Sequence, residues 1–326
     1  MRRMALGEFD LIAKYFQRPA RRSPLGVGDD CALLAPGPGQ QLAVSCDMLV
    51  EGRHFLSTVA PERLGHKALA VNLSDLAACG AQPLAFTLAL SMPRVDEDFL
   101  DGFARGLYAL ADAHGIELVG GDTTAGPLAM CITVFGEVPA GQALLRSGAR
   151  AGDDLWVSHA PGGGLGDARL ALEMFRGRVP VSPDFESLRL AMECPQPRVA
   201  LGVALRGVAS AAIDVSDGLV GDLGHVLRRS VVGAVVDVDA LPVSDALAAL
   251  PADLRRECVV SGGDDYELLF TAPPAREAAV RAAAVQADVG VRRIGRIDAA
   301  PGLRLVDARG APVGGHFGAF DHFATS

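Results

Sequence analysis

The sequence predicts a two-domain α/β protein, and three observations support this fold class. The 326 residues exceed what one hydrophobic core usually supports, because single cores stop growing near about 250–300 residues. Hydrophobic residues recur alternately with the period of two that is typical of strands and the period of 3.6 that is typical of helices. Half of the residues are hydrophobic but only 5% are aromatic, a mixture that suits closely packed layers of helices and sheets.

A polar, glycine-punctuated segment at residues 146–153 interrupts this alternation, so we divide the chain into domains 1–148 and 149–326. In the first domain the pattern predicts helices over 7–17, 61–79 and 96–114, and strands over 41–46, 84–91, 116–119 and 128–138. In the second domain it predicts helices over 164–175, 198–207, 217–229, 244–250 and 274–288, and strands over 155–158, 211–215, 233–238, 266–271, 291–297 and 303–306.

Composition excludes several classes of function. The net charge of −9 argues against a nucleic-acid partner, which would require a basic surface. No apolar run approaches the roughly 18 residues of a membrane span. The basic start of the chain meets Glu8 and Asp10 before a signal core could form, so we expect a soluble, cytoplasmic protein. The six cysteines are widely spaced, which favours neither a zinc site nor a disulfide framework.

Lysine is nearly absent, since Lys14 and Lys67 are the only lysines among 30 Lys and Arg residues. Neither lies in a P-loop or in the lysine motif of protein kinases, and both classes are therefore excluded. A nucleotide bound by this chain would have its phosphates neutralised mainly by metal ions.

Aspartates recur at the ends of apolar strands or in glycine-containing turns. Five segments share this setting, GVGDD (26–30), AVSCD (43–47), VGGDTT (119–124), AIDVSDG (212–218) and SGGDDY (261–266). Asp75 lies instead inside a nearly apolar helix, where an unpaired carboxylate is costly.

Each of these segments alone could be an ordinary turn or helix cap, and Asp217 fits an N-cap as well as it fits a ligand. Together they indicate more, because ligands in α/β folds gather at the carboxyl ends of strands. Carboxylates that converge without cations would repel one another. An all-oxygen ligand set selects Mg²⁺, Mn²⁺ or Ca²⁺, and Mg²⁺ in particular is usually bound together with phosphate groups.

Motifs along the whole chain from residue 7 onward resemble the thiamine-monophosphate kinase family, of the aminoimidazole-ribotide-synthetase-like superfamily. They are GEFDLIAKYF, GVGDDCALL, Ser45-Cys46-Asp47, HKALAVNLSDLAACGA, GGDTT, RSGARAGD, AIDVSDGL, SGGDDYELLF and FDHFA. The resemblance implies a homodimer whose N-terminal sheets form a barrel across the two subunits. It also implies ATP and several Mg²⁺ ions in a cleft between the domains, and phosphorylation of thiamine monophosphate to thiamine diphosphate.

The resemblance carries residue roles with it. It implies metal ligands at Asp30, Ser45, Cys46, Asp47, Asp75, Asp122, Asp214 and Asp217, ATP contacts at Gly121, Asp122, Arg146 and Ser216, and substrate contacts at His54, Asp264 and Phe320. Three of these depart from the family pattern. Cys46 replaces Thr or Ser and would act through its backbone carbonyl, Asp264 replaces Glu, and Phe320 replaces Tyr or Trp.

Transfer to an ionised phosphate oxygen requires no general base, so we predict no catalytic residue in that sense. The glycine-rich segment 161–166 fails the dinucleotide pattern and is expected to be a turn. Two alternatives remain. One is a related enzyme such as a hydrogenase-maturation dehydratase or a selenophosphate synthetase, although the chain ends in FATS without the cysteine expected of the first. The other is a noncatalytic Mg-nucleotide-binding protein.

Overall fold

The computed structural model describes residues 7–315, 317 and 318, which form two compact units. The first unit contains residues 7–76 and 81–141, and the second contains residues 77–80, 142–315, 317 and 318. No helix in the described part of the chain is long and apolar enough to cross a membrane.

The first unit is a four-stranded sheet with helices packed on it. Its elements are α1 (Glu8–Tyr15), β1 (Gln40–Val50), α2 (Pro61–Ala78), β2 (Gln82–Met92), α3 (Glu97–His114), β3 (Glu117–Ala125) and β4 (Ala129–Pro139). The strand order is β1-β4-β2-β3, and all neighbours are antiparallel except the parallel pair β2 and β3.

Helices α2 and α3 approach each other through glycines. A Cβ on Gly65 would lie 2.0 Å from the carbonyl oxygen of Phe103, and one on Gly106 would lie 1.8 Å from that of Glu62. Only glycine permits such a close backbone approach. The two helices bury most of their apolar side chains, and α3 is capped by Asp96, whose side chain accepts the Phe99 N–H at 3.1 Å.

The second unit contains a six-stranded mixed sheet. Its elements are β5 (Asp154–His159), α4 (Asp167–Phe175), α5 (Phe185–Glu193), α6 (Val199–Ala204), β6 (Ala211–Asp214), α7 (Leu219–Ser230), β7 (Gly233–Asp237), α8 (Asp245–Ala248), α9 (Ala252–Ser261), β8 (Leu268–Ala272), α10 (Glu277–Gln286), β9 (Gly290–Asp298) and β10 (Gly302–Val306). The strand order is β10-β7-β9-β5-β8-β6, and only β10 and β7 are parallel.

The predicted α/β class is confirmed, but several predicted boundaries were wrong. Strand β1 extends to Val50 because its ladder with β4 continues as far as Val50 opposite Ala129, so Asp47 lies inside a strand and not beyond one. Asp122 likewise lies within β3, opposite Ala89 of β2. Two helices, α5 and α9, were missed.

Candidate active site

In the first unit, β1 and α2 bring two of the predicted ligands into direct contact. Ser45 Oγ donates a 2.5 Å hydrogen bond to Asp75 Oδ2. The Asp47 N–H donates to Asn72 Oδ1 at 3.0 Å, which ties the same strand to the same helix one turn earlier. Because alternate strand residues share a face, Ser45 and Asp47 both belong to the face of β1 that carries the Asp75 contact.

Cys46 points to the opposite face of β1. Its Sγ lies 3.2 Å from Cys131 Sγ and accepts a hydrogen bond from Thr133 Oγ1 at 3.3 Å, and both of these residues belong to β4. The thiol is therefore directed away from Ser45 and Asp75. A role for Cys46 as a ligand would use its backbone carbonyl.

Asp30, Gly121 and Asp122 line one cavity of about 650 Å³ within the first unit. Both carboxylates are exposed, and the Asp30 N–H donates to Asp29 Oδ1 at 2.9 Å. Gly121 has no space for a side chain, because a Cβ there would lie 1.9 Å from the carbonyl oxygen of Leu88 on β2. The glycine thus allows β3 to pair with β2 at the residue before Asp122.

His54 lies in the turn after β1 and is half-buried. Its Nδ1 accepts the Val50 N–H at 3.0 Å. An Nδ1 that accepts a hydrogen bond cannot carry the proton, so the neutral ring is protonated at Nε2.

In the second unit, a buried carboxylate holds the backbone of the segment after β6. The sequence analysis did not predict this residue. Asp222 Oδ2 accepts the N–H groups of Ser216 and Asp217 at 3.0 and 3.1 Å. The alternative of Asp217 as a helix cap is wrong, because the N-cap of α7 is Gly218, at a φ of 108°. Asp214, the last residue of β6, is buried.

Burial raises the pKa of Asp222 to about 7, and the nearby charge of Asp217 adds to this shift, whereas the two N–H groups and Arg146 oppose it. Arg146 and Asp217 also act on His225, whose pKa is lowered first by burial and then by the charges of Arg228 and Arg146. The structure therefore groups Arg146, Ser216 and Asp217 around one buried acid.

Asp264 is joined to this group through the backbone. Its N–H donates to the carbonyl oxygen of Ser216 at 2.9 Å, and its Oδ1 accepts the Tyr266 hydroxyl at 3.0 Å. The segment SGGDDY follows α9 and precedes β8, so it is a glycine-containing turn that leads into a strand. Phe320 lies outside the described residues.

Within residues 7–315, 317 and 318, no three or more His, Cys, Asp and Glu side chains are placed to hold a metal ion by themselves. The donors that are present are carboxylate and hydroxyl oxygens, such as the Ser45 and Asp75 pair. Such donors fit Mg²⁺, which is usually held by one or two carboxylates together with water and substrate phosphates.

The chain matches two family models, one for each half. The AIR synthase related protein N-terminal domain matches residues 28–138, and the AIR synthase related protein C-terminal domain matches residues 150–308. Fold and sequence thus define the class, a two-domain protein of the AIR synthase related group.

Similar proteins of known identity show to which family within this class the chain belongs. The thiamine-monophosphate kinase of Salmonella typhimurium is 48% identical over 330 residues, which covers 99% of this chain and 100% of the relative. The crystal structure of thiamine-monophosphate kinase from Stenotrophomonas maltophilia is 46% identical, with a TM-score of 0.83 over 93% of this chain and 95% of that one. AaThiL complexed with AMPPCP and TMP is 28% identical, with a TM-score of 0.76 over 89% of both chains. The chain belongs to the thiamine-monophosphate kinase family, as its motifs predicted.

Proposed function

We propose that this protein transfers the terminal phosphoryl group of ATP to thiamine monophosphate and releases thiamine diphosphate and ADP. The observation that carries the proposal is the 48% identity to a thiamine-monophosphate kinase over essentially the whole of both chains. The related complex with AMPPCP and TMP supports the same pair of ligands.

In the proposal, each of the two predicted domains has its own role. Residues 1–148 bind metal and ATP and form the dimer, and residues 149–326 close the active-site cleft. Support for the dimer comes from β1. Leu42, Val44 and Met48 lie on the same face of this strand, and their exposed fractions are 42%, 58% and 57%. A row of exposed apolar side chains of this kind fits burial against a second copy of the sheet.

Oxygen atoms of the predicted ligands would hold Mg²⁺, which would supply positive charge to offset that of the two phosphate-bearing substrates. At an effective dielectric of about 20, two like charges about 4 Å apart cost about 4 kcal/mol, so this neutralisation is essential. The ligands in the proposal are Asp30, Ser45, the Cys46 carbonyl, Asp47, Asp75, Asp122, Asp214 and Asp217.

Protein groups then orient the nucleotide. Arg146, which is exposed, donates its guanidinium hydrogen bonds to phosphate oxygens. The N–H of Ser216 is already bonded to Asp222, so its hydroxyl is the group that contacts ATP. Gly121 and Asp122 form the nucleotide contact at β3. The acceptor phosphate oxygen is ionised at neutral pH, and the transfer therefore uses in-line positioning without a general base.

The thiamine end of the substrate is cationic, and its partners in the proposal are His54, Asp264 and Phe320. The Asp264 carboxylate supplies the opposite charge, and the Phe320 ring supplies a π face for the thiazolium. His54 contributes the N–H of its Nε2. A cytoplasmic location stays a prediction from the sequence.

The proposal is tested by incubating the purified protein with ATP, Mg²⁺ and thiamine monophosphate and measuring thiamine diphosphate and ADP. We expect equal amounts of the two products, and none after Mg²⁺ is removed with a chelator. ATP binding without turnover would instead indicate a noncatalytic nucleotide-binding protein and would refute the proposal.

A further inference from the structure

His225 is an exposed histidine on α7 in the second unit, and none of the sequence motifs assigns a role to it. It follows the buried Asp222 by three residues, so the two side chains are neighbours on the helix surface. Asp222 accepts the N–H groups of Ser216 and Asp217. His225 therefore lies one helical turn beyond the acid that holds a proposed ATP contact, Ser216, and a proposed metal ligand, Asp217.

The other proposed phosphate contact of this unit, Arg146, is attached to the far end of the same helix. Ser230, the last residue of α7, donates its hydroxyl to the carbonyl oxygen of Arg146 at 3.2 Å. The same Oγ accepts the N–H groups of Gly148 and Ala149, also at 3.2 Å. These hydrogen bonds hold the backbone of residues 146–149 against the C-terminal end of α7.

The Arg146 side chain extends from this end back along the helix. Its positive charge acts on both Asp222 and His225, which precede Ser230 on α7. Along the helix axis, His225 thus lies between the two proposed ATP contacts, because Ser216 precedes α7 and the Arg146 backbone is held at its end.

A neighbouring arginine fixes which nitrogen of the His225 ring carries the proton. Arg228 Nη2 lies 3.0 Å from His225 Nδ1. A guanidinium group only donates hydrogen bonds, so Nδ1 is the acceptor and carries no proton. The ring is therefore neutral and is protonated at Nε2.

The surroundings of the ring favour this neutral form. Burial lowers the pKa of His225, and the charges of Arg228 and Arg146 lower it further, whereas the charge of Asp217 opposes the shift. The Nε2–H group has no hydrogen-bond partner among the described residues, and the side chain is exposed. The second unit thus presents a neutral N–H donor that a ligand can reach.

The charges beside this donor indicate which ligand it fits. Arg146 and Arg228 favour an anionic acceptor, and an N–H donor forms a stronger hydrogen bond with a charged oxygen than with a neutral one. Asp217 is the nearby anionic side chain, but it forms no hydrogen bond with His225 in the described structure. The donor is therefore available to a phosphate oxygen.

We propose that His225 Nε2–H donates a hydrogen bond to a phosphate oxygen of the bound nucleotide, beside Arg146. This inference rests on the proposed function and adds a nucleotide-binding residue to it. Arg228 is a positioning residue in the proposal, because it holds the ring in the tautomer that can donate from Nε2.

The test compares AMPPCP, which carries the phosphate chain, with adenosine, which does not. Dissociation constants are measured by calorimetry at about pH 8 with Mg²⁺ present, and adenosine is measured by its displacement of AMPPCP. His225→Ala should weaken AMPPCP binding about tenfold or more, because a hydrogen bond to a charged acceptor is lost. Its dissociation constant for adenosine should equal that of the wild type.

Two variants separate recognition from folding. His225→Gln keeps an N–H donor of similar reach, so it should recover most of the AMPPCP affinity that His225→Ala loses. Gln286→Ala is the matched control, because Gln286 is an exposed, neutral donor on α10 of the same unit. It should leave both dissociation constants unchanged, and melting temperatures should show that all three variants are folded.

Arg228→Ala tests the positioning role through the ring itself. At about pH 8, nitrogen-15 NMR of the wild type should show His225 protonated at Nε2 and unprotonated at Nδ1. The variant should show a mixture of the two tautomers. An unchanged tautomer in the variant would refute the role of Arg228, and a wild-type ring protonated at Nδ1 would refute the donor itself.

Three binding results would each overturn the inference. They are wild-type affinity of His225→Ala for AMPPCP, equal losses for AMPPCP and adenosine, and failure of His225→Gln to recover AMPPCP binding. The proposed function fails on a different result, namely absence of thiamine diphosphate formation by the wild-type enzyme. Turnover by the wild type together with unchanged AMPPCP binding by His225→Ala would eliminate only the His225 contact.

Discussion

Ser45 and Asp75, thirty residues apart in the chain, are joined by a 2.5 Å hydrogen bond from Ser45 Oγ to Asp75 Oδ2. The bond satisfies one oxygen of a carboxylate that would otherwise be costly in an apolar helix. It also fixes the Asp75 carboxyl group beside β1, which is the strand that carries Asp47. The first unit therefore holds the acidic side chains of Asp47 on β1 and Asp75 on α2 in a preorganised arrangement.

Asp47→Asn should lower the rate of thiamine diphosphate formation at least 100-fold at saturating Mg²⁺, because the substitution removes a charge of the proposed metal site while keeping the shape of the side chain. The melting temperature should change little, since the N–H bond of residue 47 to Asn72 is retained. Asp98→Asn, an exposed acid in the first turn of α3, is the matched control and should leave the rate unchanged. A wild-type rate for Asp47→Asn would remove Asp47 from the proposed site.

Gly121→Ala should reduce the free energy of unfolding by about 2 kcal/mol or more, because the new Cβ would meet the Leu88 carbonyl oxygen at 1.9 Å. Gly120→Ala is the matched control on the same strand. Its Cβ would meet only Thr87 Cγ2, at 3.8 Å, so a change below about 1 kcal/mol is expected. Urea denaturation measures both values, and equal effects would show that the backbone contact at Gly121 is unimportant.

Asp222→Asn should make stability less dependent on pH. The wild-type carboxyl has a pKa of about 7 in the folded state against an ordinary value of 3.8, so the folded state retains a proton that the unfolded state has lost between these two values. Wild-type stability must therefore fall as the pH rises through this window. The shift of about three pKa units sets an upper limit on the order of 4 kcal/mol.

Asparagine resembles the neutral acid at every pH and can still accept the N–H groups of Ser216 and Asp217. The variant and the wild type should thus be equally stable near pH 4, and the variant should be the more stable above pH 7. Thermal unfolding in chelator across this range is the measurement, and a constant difference between the two proteins would contradict the expectation.

Val44→Asp should convert the proposed dimer into monomers, because it places a charge in the exposed apolar row of β1. Val285→Asp on α10 is the control, since Val285 is 82% exposed but lies in the second unit. Sedimentation equilibrium of the three proteins distinguishes the outcomes. A wild-type monomer, or a dimer that tolerates Val44→Asp, would argue against this face as the interface.

Periodicity predicted the long elements well and missed two of the shorter helices. Helix α2 was expected over 61–79 and runs over Pro61–Ala78, and α3 was expected over 96–114 and runs over Glu97–His114. Both are 18-residue helices whose apolar faces repeat over several turns. Helices α5 and α9 have nine and ten residues and lie in proline-containing surroundings, where the local pattern is weak.

The residue types of the candidate site are a prediction from the sequence, whereas their supporting contacts could not be predicted from it. Asp30 and Asp217 could be selected from the sequence because they lie in glycine-containing turns, and Asp75 because it lies in an apolar helix. Asp222 gave none, because an acid in the first turn of a helix is ordinary and its bonds to Ser216 and Asp217 depend on how the chain turns into α7.

The sequence by itself determined the fold class and the family, and it predicted an acidic, oxygen-rich site, since these depend on local periodicity, composition and motif order. Only the tertiary structure decided that Ser45 bonds Asp75, that Cys46 faces away from them, and that Asp222 accepts the N–H groups of Ser216 and Asp217. The physical reason is that hydrogen bonding and burial are set by neighbours distant in the chain, which strand pairing and helix packing bring together.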